Sequence, residues 1–442
     1  MKFTFDEIKK ATGAEVSGTL DGEFEISTDT RTIKKGDIYL PLKGANFDGE
    51  NFCDKAIGAG AAGCFYTKEK PSKIALKVDD TLNAYLKIAN YARCKFNPIV
   101  IGVTGSSGKT TTKEMIYSVV SEKFKTQKTY SNHNNEIGFC QTVLGMDNDC
   151  EVLIVEMGMR GLGEIELITK YAEPDYAVIT NAGSAHIGRL GSLDNIAKAK
   201  CEITKYLKKS LIAHDNERIK KFAEFSGEKV FYSLKDVKII EKKCGFSKFI
   251  YKNNVYELFV DGDYNIENSL SAIEIGLHIG MSYEDIKEGL KKYKPIEKRW
   301  EIQNVCGYNF INDSYNANPE SMKASVSAFL DFYEKPVVIL GNMGELGTDE
   351  EKFHREVGKY LGEKYKDKKV QFITVGDLAL YIGEELAKYR YNVKHFDNNI
   401  ATSRYILDNL HAGCTIFLKA SRAEKFEEII EIIKKAGEND IW

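Results

Sequence analysis

The stretch "GVTGSSGKTTTK" (102–113) holds the residue types best suited to chemistry in this chain. At the start of a helix, backbone N–H groups point outward and the dipole favours an anion. Gly105 and Gly108 let the backbone wrap close to phosphate oxygens, with Ser106 and Ser107 between them. Lys109 brings positive charge to the β- and γ-phosphates. Thr110, followed by Thr111, offers a hydroxyl to Mg²⁺. The strict spacing G-x-x-x-x-G-K-[ST] is not met, because Val103 stands where its first glycine belongs. That glycine mainly eases a turn, which Thr104-Gly105 can make. The expectation is a nucleoside-triphosphate site. The competing reading, a glycine turn before an ordinary helix, is disfavoured by the apolar strand "IVIGV" that precedes it.

Other candidates cluster at the ends of apolar segments. Glu156 ends "EVLIVE", where an acid beside a phosphate loop can hold Mg²⁺; the alternative is a carboxylate facing solvent. Asn181 and His186 lie in the loop "TNAGSAHIG" after another strand, a place where open α/β sheets bind ligands. Lys198 and Lys200 sit on a helical segment, and the residues alone give neither a role beyond a solvated face. "SNHNNE" (131–136) reads as a turn or the lining of a polar site. Asp313, in "INDSYNANPESM", is either a partner for a ribose hydroxyl or the start of an Asx turn into a helix.

These residues need strands and helices to position them, and the pattern supplies both. From residue 98, "IVIGV", "EVLIVEMG", "YAVITNAG" and "SLIAH" alternate with helical segments, which predicts a mostly parallel sheet covered on both faces. A β-rich stretch follows from "KVFYSL" through "GFSKFIYKNNVYELFVDG". A second doubly wound unit begins near Arg299, with strands in "YNFINDSY", "PVVILGN", "VQFITVG" and "TIFLKAS". Before residue 98 lies a small α/β unit whose last helix, "TLNAYLKIANYARCKF", is broken by Asn97-Pro98. The expected fold class is therefore α/β in three domains: 1–97, a central 98–298 with a β-rich extension, and a Rossmann-like 299–442.

The 442 residues fit about three domains at ~150 residues each. A net charge of −3 gives no reason to expect nucleic acid or an anionic membrane surface as partner. No apolar run approaches the ~20 residues of a membrane span. Nine scattered cysteines, with no C-x-x-C pair, read as reduced thiols in a cytoplasmic protein. A monomer is the default expectation.

Taken together, the segments resemble the Mur ligase family of ATP-dependent amide-forming enzymes. "TGSSGKT" (104–110) matches the family's own loop, T-G-[ST]-x-G-K-[ST], which needs no glycine at Val103. Within the family, "STDTRTIKKGDIYLPLKGANFDG" (27–49), "NHNNEIG" (132–138), "INDSYNANPESM" (311–322) and "ILGNMGELG" (339–347) followed by His354 resemble the members that add D-alanyl-D-alanine. The resemblance implies ATP and two Mg²⁺ ions as cofactors. It implies UDP-N-acetylmuramoyl-tripeptide and D-alanyl-D-alanine as partners, in the last cytoplasmic step of peptidoglycan precursor synthesis. Sister ligases that add one amino acid, and folate-type glutamate ligases, are the alternatives.

By the same resemblance Thr110, Glu156 and His186 match Mg²⁺-binding positions, and Lys200 matches a lysine carried as a carbamate, itself an anionic metal ligand. Asn268 matches an asparagine near the adenine; Arg299 and Asp313 match residues that close on the nucleotide. Asp29, Thr30, Arg31, Lys43 and Gly44 fall in the UDP-sugar segment, and Asn135, Glu136, Asn316 and Asn318 in segments expected to meet substrate. Four positions depart from the common pattern: Glu50 and Tyr264 where histidine is usual, Asn342 where aspartate is common, and "KASR" (419–422) in place of "KGSR".

Overall fold

The structure, a computed structural model, describes residues 1–44, 46–296 and 298–438. Three α/β units follow one another, each around its own sheet. The central sheet has six parallel strands in the order Thr126–Lys128, Val152–Glu156, Ile99–Thr104, Tyr176–Ile179, Ser210–His214, Glu228–Tyr232. Successive connections run first to one side of Ile99–Thr104 and then to the other. The carboxyl end of that strand is therefore the point where the winding reverses and ligands are received. Glu156 and the residues after Ile179 flank it on its two neighbours.

One expectation changes here. Glu228–Tyr232, read as the first strand of the β-rich extension, pairs parallel with Ser210–His214 and closes the central sheet. Its half-exposed edge position gave it little of the apolar run expected of a parallel strand. The extension itself is an antiparallel sheet of Lys238–Lys243, Phe246–Tyr251 and Asn254–Leu258. The segment 132–138 is a turn followed directly by a helix, Glu136–Leu144, capped by the Asn135 side chain on the Gly138 amide at 2.9 Å.

The third unit's sheet runs Glu301–Val305, Tyr308–Asn312, Thr415–Lys419, Val337–Gly341, Gln371–Val375, Lys394–Phe396, and only the first pairing is antiparallel. The first unit has a five-stranded sheet in the order Glu15–Val16, Ile74–Lys77, Gly63–Tyr66, Ile38–Tyr39, Ile26–Ser27.

Alternation along Ile99–Thr104 ties the units together. Val100 belongs to a core that runs from Phe65 and Leu76 of the first unit into one face of the central sheet. Ile101 and Val103 face the other core, which continues to Trp300, Phe329 and Phe417 of the third unit. The helix Thr81–Phe96 is clamped to the central unit by an Arg93–Glu173 ion pair at 2.9 Å, with the guanidinium buried. The helix ends as expected: Asn97 takes a left-handed conformation (φ 49°) and Pro98 follows. None of the helices is long and apolar enough to cross a membrane among the described residues.

Candidate active site

The loop between Ile99–Thr104 and the helix Lys109–Val120 is held from outside as much as by its own glycines. Gly105 has φ 154°, and a Cβ there would lie 1.9 Å from Thr180 Oγ1. Gly108 caps the helix in the left-handed region (φ 77°), and no side chain caps the first turn. Its leading amides therefore keep their donors for an anion. Asn181, on the neighbouring strand end, braces the loop. Its Oδ1 accepts the Ser107 N–H at 3.0 Å, and its Nδ2 donates to Ser107 O and Oγ, both at 3.0 Å. Thr180 donates to Ser107 O at 2.6 Å, and Ser106 Oγ to Gly183 O at 2.9 Å. Gly105→Ala should displace this brace. Calorimetry should show loss of nucleotide binding, and thermal melting a destabilisation of about 1 kcal/mol or more.

Lys109 Nζ donates to Gly105 O at 2.7 Å, folded back over the loop it serves. Burial pushes its pKa down, and the nearby Glu156 opposes that. Glu156 is itself buried at the end of its strand. Its Oε1 accepts from Asn134 Nδ2 at 3.1 Å. Its Oε2 has no hydrogen-bond donor and lies 3.5 Å from Lys113 Nζ, which also bonds Thr129 O at 2.9 Å. The Thr110 hydroxyl accepts from Arg299 Nη2 of the third unit at 3.0 Å. Arg299 lies 4.1 Å from the centre of the Tyr315 ring.

His186 has a left-handed backbone (φ 66°), and its Nδ1 lies 2.5 Å from Glu345 Oε2. Glu345 Oε1 is 3.3 Å from Arg189 Nε. His186 first, and then Arg189, hold the Glu345 carboxyl below the ordinary carboxylate range.

Lys200 is fully buried, and its Nζ has no hydrogen-bond partner. Burial, and then the charge of Lys109, push its pKa far below the usual lysine value. The helix Leu193–Cys201 that carries it was legible; its inward face was not. Directly after it, the buried Glu202 accepts the Gly163 N–H at 2.7 Å and the Glu166 N–H at 3.2 Å. It thereby caps the helix Glu164–Ala172, whose N-cap, Gly163, has no side chain to do so.

A cleft of about 1070 Å³ brings together Ser106, Ser107, Gly108, Lys109, Thr110, Thr111, Asn135, Glu136, Glu156, His186, Asn268, Arg299, Asp313, Asn316 and Asn318. Gly105 and Lys200 are buried behind its wall. Asp29, Thr30, Arg31, Lys43 and Gly44 lie in the first unit and do not line it. There Asp29 pairs with Arg31 at 2.7 Å, which lowers the Asp29 carboxyl to about 2.

Several expected ligand groups have structural partners of their own. Asn318 Oδ1 caps the helix Pro319–Phe332 at Ser321, as Asn135 does its own helix. Asp313 is paired at 2.6 Å with Lys419, a nearly buried lysine that sequence reading passed over. Asn268 Oδ1 would be 2.8 Å from a Cβ on Gly108, so it packs against the loop itself. Thr180 and Lys113 were also missed, and Asn181 had been noted only for its place in a loop. Only contacts across strands reveal what these three do.

The departures have local accounts. Glu50 accepts the Thr67 N–H at 2.9 Å and the Thr67 hydroxyl. Asn342 Oδ1 accepts the Leu378 and Ala379 amides at 3.0 and 2.8 Å, and its Nδ2 donates to Glu424 at 3.3 Å, which an aspartate would not do. Tyr264 lines the cleft edge-on to Trp300, with ring centres 6.5 Å apart. Ala420 of "KASR" is fully buried beside Gly341.

Known proteins share this fold. Residues 103–276 match the Mur ligase middle domain, and residues 298–441 match the Mur ligase, glutamate ligase domain. The chain is 37% identical, over 92% of both sequences, to the UDP-N-acetylmuramoyl-tripeptide–D-alanyl-D-alanine ligase of Bacillus subtilis. It is 29% identical to the Escherichia coli ligase of the same name over 96% of both. Among solved structures, MurF from Acinetobacter baumannii superposes with a TM-score of 0.90 at 27% identity, covering 98% of this chain and 99% of that one. The MurF ligase from Thermotoga maritima in complex with ADP gives 0.83 at 25% identity, covering 94% and 98%. With its phosphate loop, its cross-unit arginine and this similarity along nearly the whole length, the chain belongs to the Mur ligase family.

Proposed function

We propose that this protein joins D-alanyl-D-alanine to UDP-N-acetylmuramoyl-tripeptide at the expense of ATP, as a monomer in the cytoplasm. The observation that carries the reading is the likeness over 92% of both chains to a relative of that name, together with a phosphate loop bonded to Arg299 of the third unit. The tripeptide's terminal carboxylate attacks the γ-phosphorus of ATP, the bond to ADP breaks, and an acyl phosphate forms. The dipeptide's amine then attacks the acyl carbon, phosphate leaves, and the amine's proton is released.

The loop amides and Lys109 hold the phosphates and offset the charge that develops on them. Thr110, Glu156 and His186 are the side chains that would hold Mg²⁺. The fit is supported by a buried Glu156 oxygen without a hydrogen bond. Mg²⁺ so bound would neutralise charge on the transferring phosphoryl group. Lys200 supports a carbamate: burial without a partner favours the neutral, nucleophilic amine, which takes up CO₂ with loss of a proton and becomes an anion. Asn268 lies toward the adenine. Arg299 and Asp313 bring the third domain (299–442) onto the central one (98–298), which keeps water from the acyl phosphate. The first domain (1–97) takes the UDP-sugar through Asp29, Thr30, Arg31, Lys43 and Gly44, and Asn135, Glu136, Asn316 and Asn318 line the peptide path.

Phosphate release from ATP and UDP-N-acetylmuramoyl-tripeptide should require D-alanyl-D-alanine. Release with single amino acids but not with the dipeptide would assign the chain to a sister activity instead.

A further inference from the structure

The contact between His186 and Glu345 joins two units, and its construction exceeds that of a chance surface pair. His186 and Glu345 both adopt left-handed backbones, at φ 66° and 61°. Such residues persist only where their surroundings over-determine them. The Gly188 N–H donates to Glu345 O at 3.1 Å. The two backbones are so close that a Cβ on Gly188 would meet Gly347 N at 2.4 Å. Arg189 holds the second carboxylate oxygen. Glu345 is thus gripped at its backbone and at both side-chain oxygens by the loop that carries His186.

The loop behind Glu345 is equally fixed. His354 is buried; its Nδ1–H donates to Glu350 O at 2.7 Å, which leaves Nε2 to accept the Met343 N–H at 2.9 Å.

An imidazole that ligates a metal through Nε2 carries its proton on Nδ1 and needs an acceptor there to fix tautomer and ring orientation. Among the described residues the carboxylate nearest His186 Nδ1 is that of Glu345, 2.5 Å away in a close contact that is not an aligned hydrogen bond, and it belongs to the unit that must close.

We propose that Glu345 is a positioning residue for His186, so that closure of the third unit itself completes the metal site. This rests on the ligase reading above. An open molecule leaves His186 without its Nδ1 partner and holds Mg²⁺ weakly. A closed one holds it firmly. The metal requirement thereby reports whether the third unit is in place.

The test is calorimetric titration of the whole chain with a non-hydrolysable ATP analogue at a series of Mg²⁺ concentrations. Glu345→Ala should raise the Mg²⁺ concentration for half-maximal nucleotide binding by about 10–100-fold. Glu345→Gln should recover part of the loss, because its carbonyl still accepts from Nδ1. Glu320→Ala removes a different contact between the units, the bonds it accepts from Ser184 Oγ at 2.7 Å and the Ser184 N–H at 3.2 Å, and should leave the requirement within about twofold of the unsubstituted chain, well below that range. An unchanged requirement in Glu345→Ala, or an equal rise in Glu320→Ala, would overturn the proposal. Absence of any Mg²⁺-dependent nucleotide binding in the unsubstituted chain would overturn the ligase reading itself.

Discussion

Lys109→Ala is expected to lower phosphate release by on the order of 10²–10³-fold, as removal of one preorganised charge-stabilising donor does elsewhere. The ammonium already lies within the loop, 2.7 Å from Gly105 O, so little reorganisation is needed when phosphate replaces that carbonyl. Its half-buried setting strengthens the electrostatic contacts it makes. Lys109→Arg should not restore the rate, because the planar fork of a guanidinium does not fit where a compact ammonium sits under the braced loop. Melting temperature should change little. A rate within tenfold of the unsubstituted enzyme would remove Lys109 from the phosphate-binding role.

Lys200→Ala should cost a comparable factor for a different reason, and the two can be told apart. If the amine works as a carbamate, formate or acetate should restore part of the rate in Lys200→Ala and none in Lys109→Ala. Unchanged activity in Lys200→Ala would discard the carbamate. Stability should move the other way, because burying an amine without a partner is unfavourable. Lys200→Met, of similar length, should fold at least as stably in CO₂-free buffer.

The pH dependence has a definite sign. Burial holds the folded pKa of Lys200 below its unfolded value of about 10.4, so between the two values unfolding takes up a proton. Its contribution is complete above that unfolded value and is lost as pH falls toward the folded one. Denaturant titrations should therefore show the advantage of Lys200→Met growing as the pH is lowered.

The site divides into what neighbours in sequence reveal and what only packing reveals. The phosphate loop was legible because strand, glycine turn and helix are contiguous, and Glu156 because it ends an apolar run. Lys200 was not legible as a buried amine: helical spacing places it on a face, and only the packed structure shows that the face is inward. Asn181 and Thr180 brace a loop more than 70 residues away in sequence, with no local pattern to announce it. The strands Thr126–Lys128, Glu301–Val305 and Lys394–Phe396 escaped notice because they are short, polar edge strands. The units were legible from strand–helix alternation. The two cores that join them depend on which side of Ile99–Thr104 each residue faces.

Trp300 stands where the central and third units meet. It is 3% exposed, edge-on to Tyr264 of one and 5.5 Å from the Phe417 ring centre of the other. The chain has two tryptophans, and the other, Trp442, lies outside the described residues. The molecule thus carries a buried indole at the contact between two of its units, and the emission of that indole offers an unlabelled optical readout of whether that contact is made.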